Sequence, residues 1–189
     1  MGRTWLFAAA ALIPVAVNAG GASAQSFGKP TPGVCFLSKQ KVLDQSAAGA
    51  AANQRMELIR QAVVQELSGE RGAIAVDANS LQADKPIISQ TAFQQRAGAL
   101  ALREQSFETL QNTRNSQITR TRARVTALLI RQMAPLLAQI LSQRGCSAVF
   151  ESSDAYAFTP AMDLTDDVIR AMNARLGQIA FDLEPPEAQ

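Results

Sequence analysis

No histidine occurs in the 189-residue sequence, so the commonest metal ligand and the commonest general base at neutral pH are both missing. The sequence also contains no P-loop, no Gly-x-Gly-x-x-Gly before a helix and no Gly-x-Ser-x-Gly elbow. Asp166 and Asp167 adjoin, but a position at a predicted helix start explains them better than a catalytic pair does. We therefore predict no enzymatic activity, no cofactor and no metal site.

Aromatic residues are scarce, at 5% of the chain, while alanine and glutamine are abundant. This composition is typical of long exposed helices rather than of a thick hydrophobic core. The only two cysteines, Cys35 and Cys146, lie far apart, so the CxxC spacing of redox proteins is absent.

The first 24 residues have the pattern of a cleavable signal peptide. Arg3 supplies a positive start, residues 5–17 are apolar but short for a membrane span, and Ala22-Ser23-Ala24 matches the cleavage pattern. An uncleaved N-terminal anchor is the alternative. The cleavage pattern predicts a mature chain from Gln25. Because no later stretch reads as apolar enough to cross a bilayer, we expect that chain to be soluble, in a periplasm or outside the cell.

Charge is divided unevenly along the mature chain. Residues 46–144 contain 12 basic and 7 acidic residues, whereas the rest of the mature chain contains 5 basic and 9 acidic residues. Residues 109–150 include six arginines and no acid. Nucleic acid could bind such a helix, but export and the scarcity of aromatic residues argue against it. We therefore expect acidic polypeptide to be the partner of the arginines.

Residues 46–144 are predicted to form two long helices folded back as a hairpin arm. Ser46 and Ser89 are placed to cap the two helices, Pro86 breaks the chain near a tip at 84–89, and Gly145 is placed to end the second helix. Apolar residues recur at helical spacing in both halves. They are Met56, Ile59, Val63, Leu67, Ile74 and Leu81, then Phe93, Leu100 and Phe107, then Val125, Leu128, Leu136 and Ile140. Gly69 and Gly72 weaken the first helix and could form a hinge.

The remaining segments predict a small body and two extensions. We expect a flexible leader at 25–33, a strand and turn at 34–45, and a body hairpin and C-terminal helix at 145–176. Its strands are Ala148–Glu151 and Ala155–Phe158, and Thr165 is the expected N-cap of the helix. Residues 177–189 are expected to form a loose tail. The fold class is thus α+β, mostly α, a long antiparallel helical hairpin on a three-strand-plus-helix body.

A body of this size and a thin arm bury little apolar surface, and a three-stranded sheet has open edges. Association of several chains through their bodies would bury more apolar surface and would cover the open sheet edges. The residues that we expect to pack the body and the contacts between subunits are apolar members of its strands and helix. They are Val34, Phe36, Leu37, Val149, Phe150, Tyr156, Phe158, Val168, Ile169 and Met172.

Cys35 and Cys146 each adjoin a predicted body strand, at the two roots of the arm. Because unpaired thiols survive poorly in an oxidising compartment, we expect a disulfide between them. Two buried thiols are the alternative.

Two blocks of the sequence resemble the Skp/OmpH family of periplasmic chaperones. One runs from Val34 to Ala51, where a short strand leads into Gln40-Lys41-Val42-Leu43. The other runs from Val149 to Leu176 and contains Asp163-Leu164-Thr165-Asp166-Asp167-Val168-Ile169. The resemblance implies a periplasmic homotrimer, whose arms surround a cavity that holds unfolded outer-membrane β-barrel proteins without ATP. It also suggests peripheral contact of the arms with an anionic membrane surface, although here the positive charge lies on the return helix rather than at the tip.

Client contact is expected from the return helix, where arginines would attract acidic polypeptide and apolar side chains would add weak, sequence-tolerant contacts. Simpler roles are a solvated face for the arginines and seam packing for the phenylalanines. The candidates are Phe93, Leu100, Leu102, Phe107, Arg114, Arg120, Arg122, Arg124 and Arg131. A non-catalytic coiled-coil scaffold of the cell envelope is the alternative function, and an adaptor of an envelope transport system is a weaker third.

Overall fold

The computed structural model describes residues 28–186. The predicted signal peptide and the start of the leader lie outside these residues. The elements follow in the order β1 (Val34–Leu37), α1 (Lys39–Gln45), α2 (Ala47–Asp84), α3 (Gln90–Arg144), β2 (Ala148–Glu151) and α4 (Thr165–Arg175). Short 3-10 turns cover Ser152–Asp154 and Pro160–Met162.

Helices α2 and α3 form the hairpin arm, and local signals set their ends. Ser46 accepts a hydrogen bond from the Gly49 N–H and Ser89 accepts one from the Ala92 N–H, so both serines cap their helices as predicted. Gly145 ends α3 in the left-handed conformation, at φ 67°. With 38 and 55 residues, the helices are about 57 and 83 Å long at 1.5 Å per residue.

The seam between the two helices is tightest near the body. Met56, Ile59 and Val63 of α2 are buried, whereas Leu67 and Ile74 are only half-buried. Seven residues of α3 form one buried stripe at helical spacing: Gln117, Thr121, Val125, Leu129, Met133, Leu136 and Ile140. The outer half of the arm therefore depends on contacts other than a continuous apolar core.

The root of α2 lies against α1 at very close range. Ala48 and Ala52 are buried in the core. A Cβ added at Gly49 would lie 1.8 Å from the carbonyl oxygen of Leu43, so only glycine fits there. By contrast, a Cβ at Gly69 or Gly72 would meet nothing within 4 Å.

The body sheet corrects the prediction of a hairpin. β1 and β2 pair in parallel, with Phe36 opposite Phe150, and they form a two-stranded sheet within the described chain. Parallel strands need a long crossover connection, and here the whole arm supplies it. A hairpin after β2 would be antiparallel, but Ser152–Asp154 form a 3-10 turn and residues 155–158 form no strand.

Residues Ala155–Phe158, the predicted third strand, do not pair with the sheet, and Phe158 packs against it instead. Phe158 stacks on Phe36 with ring centroids 4.3 Å apart, while Tyr156 is fully exposed. The hydrogen-bonding position beside Phe36 goes to the next segment, since the Leu164 N–H donates to the Phe36 carbonyl at 2.9 Å. An isolated bridge joins Phe36 to Asp163 at the same place.

The start of α4 also differs from the prediction. Leu164, not Thr165, is the N-cap, and Asp163 accepts a hydrogen bond from the Thr165 N–H at 2.8 Å. The Thr165 hydroxyl instead accepts a bond from the Ser38 N–H at 2.9 Å, which ties α4 to the end of β1. Asp166 and Asp167 lie in the first turn, where the helix dipole favours negative charge.

The core joins the body to the base of the arm. Val42 of α1, Leu164, and Val168 and Met172 of α4 are completely buried, and they pack with the α3 stripe from Val125 onward. Among the predicted body-packing residues, Leu37, Val168 and Met172 are buried and Phe150 and Tyr156 are exposed; Val34, Phe36, Val149, Phe158 and Ile169 are half-buried.

In the described chain, α3 has an 18-residue stretch that is long and apolar enough to span a membrane, with mean hydropathy 1.4. The expectation that no stretch after the signal peptide is apolar enough to cross a bilayer is therefore wrong. Core helices of soluble proteins pass the same test. Here Leu129, Met133 and Leu136 from α3 join the core, which gives the apolar composition a structural role.

Candidate functional site

The arm is the candidate site, and two of its predicted client contacts belong to the seam between its helices. Phe93 and Phe107 are half-buried. The Lys85 ammonium lies 5.5 Å from the Phe93 ring centroid and the Arg71 guanidinium lies 5.7 Å from that of Phe107, so both rings stack under cations. These phenylalanines thus hold α2 and α3 together, the simpler of the two roles considered.

Other apolar side chains of the arm face outward. Leu102 is 66% exposed, whereas Leu100 is half-buried. Four exposed apolar residues were missed by the sequence analysis because they lie off the seam. They are Leu58, Val64, Val76 and Ile87, the last of which is 80% exposed at the tip. The arm therefore presents separate apolar side chains along its length rather than one continuous patch.

Three of the five candidate arginines make contacts within the chain. Arg114 holds Glu66 of α2 through two hydrogen bonds, at 2.8 and 2.7 Å. Arg124 pairs with Glu184 of the tail. Arg120 donates to the Pro185 carbonyl at 2.7 Å. These residues join parts of the chain, which the sequence analysis did not foresee.

Arg122 and Arg131 are exposed, and no ion pair involves either of them within residues 28–186. Their guanidinium groups can therefore meet a partner without first breaking an internal ion pair. Arg122, Arg131 and Leu102 are thus exposed at the surface of the arm, and their contact with a client stays a prediction.

A row of ion pairs crosses the arm where its apolar seam is thin. Arg103 of α3 bonds to Glu70 at 2.8 Å and to Asp77 at 2.5 Å. Arg96 pairs with Asp84 at 2.7 Å. The two acids that interrupt the α2 seam in the sequence, Glu70 and Asp77, thus have a partner on the facing helix. The sequence signal that could have predicted these pairs is the helical spacing of opposite charges on the two halves of the arm.

The ion pairs lower the pKa of acidic side chains on α2. Hydrogen bonds from Arg114 lower the pKa of Glu66, and hydrogen bonds from Arg103 lower the pKa of Glu70. Within α2, hydrogen bonds from Arg60 and Gln61 lower the pKa of Glu57 to about 2. These three carboxylates are therefore ionised at neutral pH.

The tail is bound to the arm, which corrects the expectation of a loose segment. Residues 177–186 have no regular secondary structure, but Arg55 pairs with Asp182 at 2.5 Å and bonds to the Phe181 carbonyl. Further along, Thr121 accepts a hydrogen bond from the Glu184 N–H at 2.9 Å. The acidic tail meets the basic arm, so the uneven charge of the sequence is partly neutralised inside the chain.

Cys35 and Cys146 are joined by a disulfide, with Cα atoms 5.9 Å apart. Cys35 lies in β1, and Cys146 follows the end of α3. The bond closes a loop that contains the whole arm and fixes its two roots to each other.

This arrangement offers an extended surface for weak contacts. The arm supplies scattered apolar side chains and, at Arg122 and Arg131, exposed arginines without an ion pair in the described chain. Among residues 28–186, no three His, Cys, Asp or Glu side chains are grouped so that they could hold a metal ion.

Comparisons with known proteins agree on one family. The family model described as outer membrane protein (OmpH-like) matches residues 33–172. A solved structure of an OmpH-like protein from Caulobacter crescentus, provisionally described as an outer membrane chaperone, is 30% identical in sequence with a TM-score of 0.81; the match covers 86% of this chain and 96% of that one. No curated protein matches the chain. Because the family model covers most of the sequence, the chain belongs to the OmpH-like outer membrane protein family, whose chaperone members are periplasmic.

Proposed function

We propose that this protein is an ATP-independent periplasmic holdase, which binds unfolded outer-membrane β-barrel proteins between the arms of a homotrimer and prevents their aggregation. The observation that carries the proposal is the arm itself, which extends about 57 Å or more and has too little seam to serve as a core. Membership of an OmpH-like chaperone family supports the same conclusion.

The exposed side chains of the arm suit a client without fixed structure. Leu58, Val64, Val76, Ile87 and Leu102 are spread along both helices instead of forming one pocket. Many weak contacts of this kind hold an unfolded chain tightly in total, yet each can be released separately. Release then follows when the client folds into a membrane and its apolar segments are no longer accessible, so no nucleotide is required.

The body supports the proposal of a trimer. Within the described chain, β2 pairs only with β1 and so leaves one edge of the two-stranded sheet open, and a sheet of this size is marginal without further strands or cover. Phe150 and Tyr156 expose aromatic rings beside that sheet. Packing three copies around the body would cover these groups and would set the arms around a common cavity.

The test is refolding of an unfolded β-barrel protein, diluted from urea, with aggregation followed by light scattering. We expect residues 25–189 to suppress scattering at one trimer per client and to sediment as a trimer. Sedimentation as a compact monomer would contradict the cage. A trimer that leaves aggregation unchanged in excess would favour a structural scaffold of the envelope.

Single substitutions at Arg122, Arg131 and Arg114 give a matched comparison, because each removes one positive charge. Arg122→Gln and Arg131→Gln, tested one at a time, should each slow client capture at low salt, because long-range attraction accelerates encounter and is screened by salt. Arg114→Gln removes a cation that is already paired with Glu66, so it should change capture less. Equal slowing by all three changes would show that net charge alone, not the unpaired groups, governs capture.

A further inference from the structure

The groove occupied by the tail has a polar floor that the rest of the α3 stripe lacks. Thr121 and Gln117 are 1% and 3% exposed, and they continue the apolar stripe of Val125 and Leu129. Burying a polar side chain costs free energy unless a partner satisfies it. Each of these side chains has one partner on α3, since Thr121 donates to the Gln117 carbonyl and Gln117 accepts from Arg114, and each gains a second partner in the tail.

The two side chains bind the main chain of a single residue. Thr121 Oγ1 accepts from the Glu184 N–H at 2.9 Å, and Gln117 Nε2 donates to the Glu184 carbonyl at 2.5 Å. Arg120 and Arg55 donate to two further main-chain carbonyls, of Pro185 and Phe181. Contacts to the main chain do not depend on side-chain identity, so the groove can hold other sequences in the same extended form.

The tail inside the groove alternates in burial from residue 179 to residue 183. Ile179, Phe181 and Leu183 are half-buried, whereas Ala180 and Asp182 are exposed. An extended chain places successive side chains on opposite sides, which gives this pattern. Strands of membrane β-barrels also carry apolar residues at every second position. Residues 179–183 thus share with such strands a large apolar side chain at every second position.

We propose that this groove is a binding site for an extended polypeptide segment with alternating apolar residues and that the tail is its resident occupant, which a β-barrel client segment displaces. The proposal rests on the holdase function above and names the part of the arm that the client would reach. An open cleft of about 560 Å³ lies beside the tail, between residues 178–182 and the start of α2, with Leu58 and Arg55 among its lining residues.

The tail lowers apparent client affinity by the fraction of time for which it fills the groove. A tail that is bound 90% of the time would weaken binding about tenfold. The full chain with Ile179→Ser, Phe181→Ser and Leu183→Ser, the tail-open variant, keeps the groove and loses the apolar contacts of the tail. We therefore expect the tail-open variant to bind a client segment about tenfold more tightly than the unchanged protein.

The probes are two dye-labelled peptides, measured by fluorescence anisotropy. One has the sequence of residues 177–186, and the other has the same composition with its three large apolar residues adjacent. The alternating peptide should bind the tail-open variant at least tenfold more tightly than the blocked peptide. Adding Gln117→Leu and Thr121→Val should weaken binding of the alternating peptide, because both bonds to its main chain are lost, whereas Thr119→Val, on the exposed side of α3, should not.

Equal binding of the two peptides, or unchanged binding after Gln117→Leu and Thr121→Val, would overturn the proposal. So would equal affinity of the unchanged protein and the tail-open variant, since the tail would then not occupy the groove. Circular dichroism on each variant establishes that it is folded. The aggregation assay separates the two proposals. If the protein suppresses aggregation but does not prefer the alternating peptide, only the proposed groove site is refuted. If it prefers the peptide but does not suppress aggregation, the holdase function is refuted, and with it the proposal that a client segment occupies the groove.

Discussion

Removal of the disulfide should lower the stability of the protein substantially. Cys35 and Cys146 are 111 residues apart, so the bond restricts a loop that includes the whole arm in the unfolded chain. The chain-entropy relation gives about 16 cal/mol/K for a loop of this length, or about 4.8 kcal/mol at 25 °C. With an m-value of about 2 kcal/mol/M, the urea midpoint should fall by roughly 2.4 M.

The assay is urea unfolding followed by circular dichroism, with and without reductant, at one fixed protein concentration because association also adds stability. Cys35→Ala with Cys146→Ala is the matched control: it should unfold near the midpoint of the reduced protein and should not respond to reductant. A reduction-dependent shift of less than about 0.5 M would refute the loop-entropy reasoning. A response of the control to reductant would mean that the reagent acts elsewhere.

Three further predictions concern the arm. Gly49→Ala should destabilise the protein by about 3 kcal/mol or more, because the added Cβ would overlap the carbonyl oxygen of Leu43. Gly69→Ala, in open space on the same helix, should stabilise the protein by about 1 kcal/mol. Thermal unfolding measures both changes. Arg114→Met should cost about 1 kcal/mol by losing its ion pair, and equal loss from Arg122→Met would contradict that cause. Because the pKa of Glu66 is lowered in the folded protein, ionised Glu66 should stabilise the fold fully above about pH 4.5, and this stabilisation should be lost as the pH falls through its folded pKa. An acid titration that follows helicity measures this loss, which should be absent from a Glu66→Gln variant.

Helix boundaries could be predicted because their signals are local. Ser46 and Ser89 cap helices through bonds to residues three positions ahead, and Gly145 ends α3 by its own backbone conformation. Proline at 86 excludes a continuous helix through the tip. None of these effects needs a distant partner.

The body sheet could not be predicted in the same way. A short apolar segment such as Ala155–Phe158 can pair as a strand or pack without pairing, and periodicity does not separate the two. The choice depended on Phe36, whose carbonyl accepts a hydrogen bond from Leu164 instead. Thr165 illustrates the same point, since its hydroxyl bonds to Ser38, far away in the sequence.

The candidate site was only partly predictable for a related reason. Charge counts indicated a basic arm and an acidic C-terminal part, but they could not say that Arg124 meets Glu184 or that Arg103 meets Glu70. Those pairs join residues 60 and 33 positions apart. Charge counts therefore predicted attraction between the arm and the C-terminal part, but not which residues form the ion pairs.

The sequence by itself determined where the two helices of the arm start and stop, and that a long hairpin interrupts a small body. Only the tertiary structure decided how the strands pair, which arginines remain available to a partner, and that the tail lies in a groove of the arm. Helix capping and helical periodicity act within a few residues along the chain. Strand pairing, ion pairing and groove binding depend on which distant residues the fold brings together.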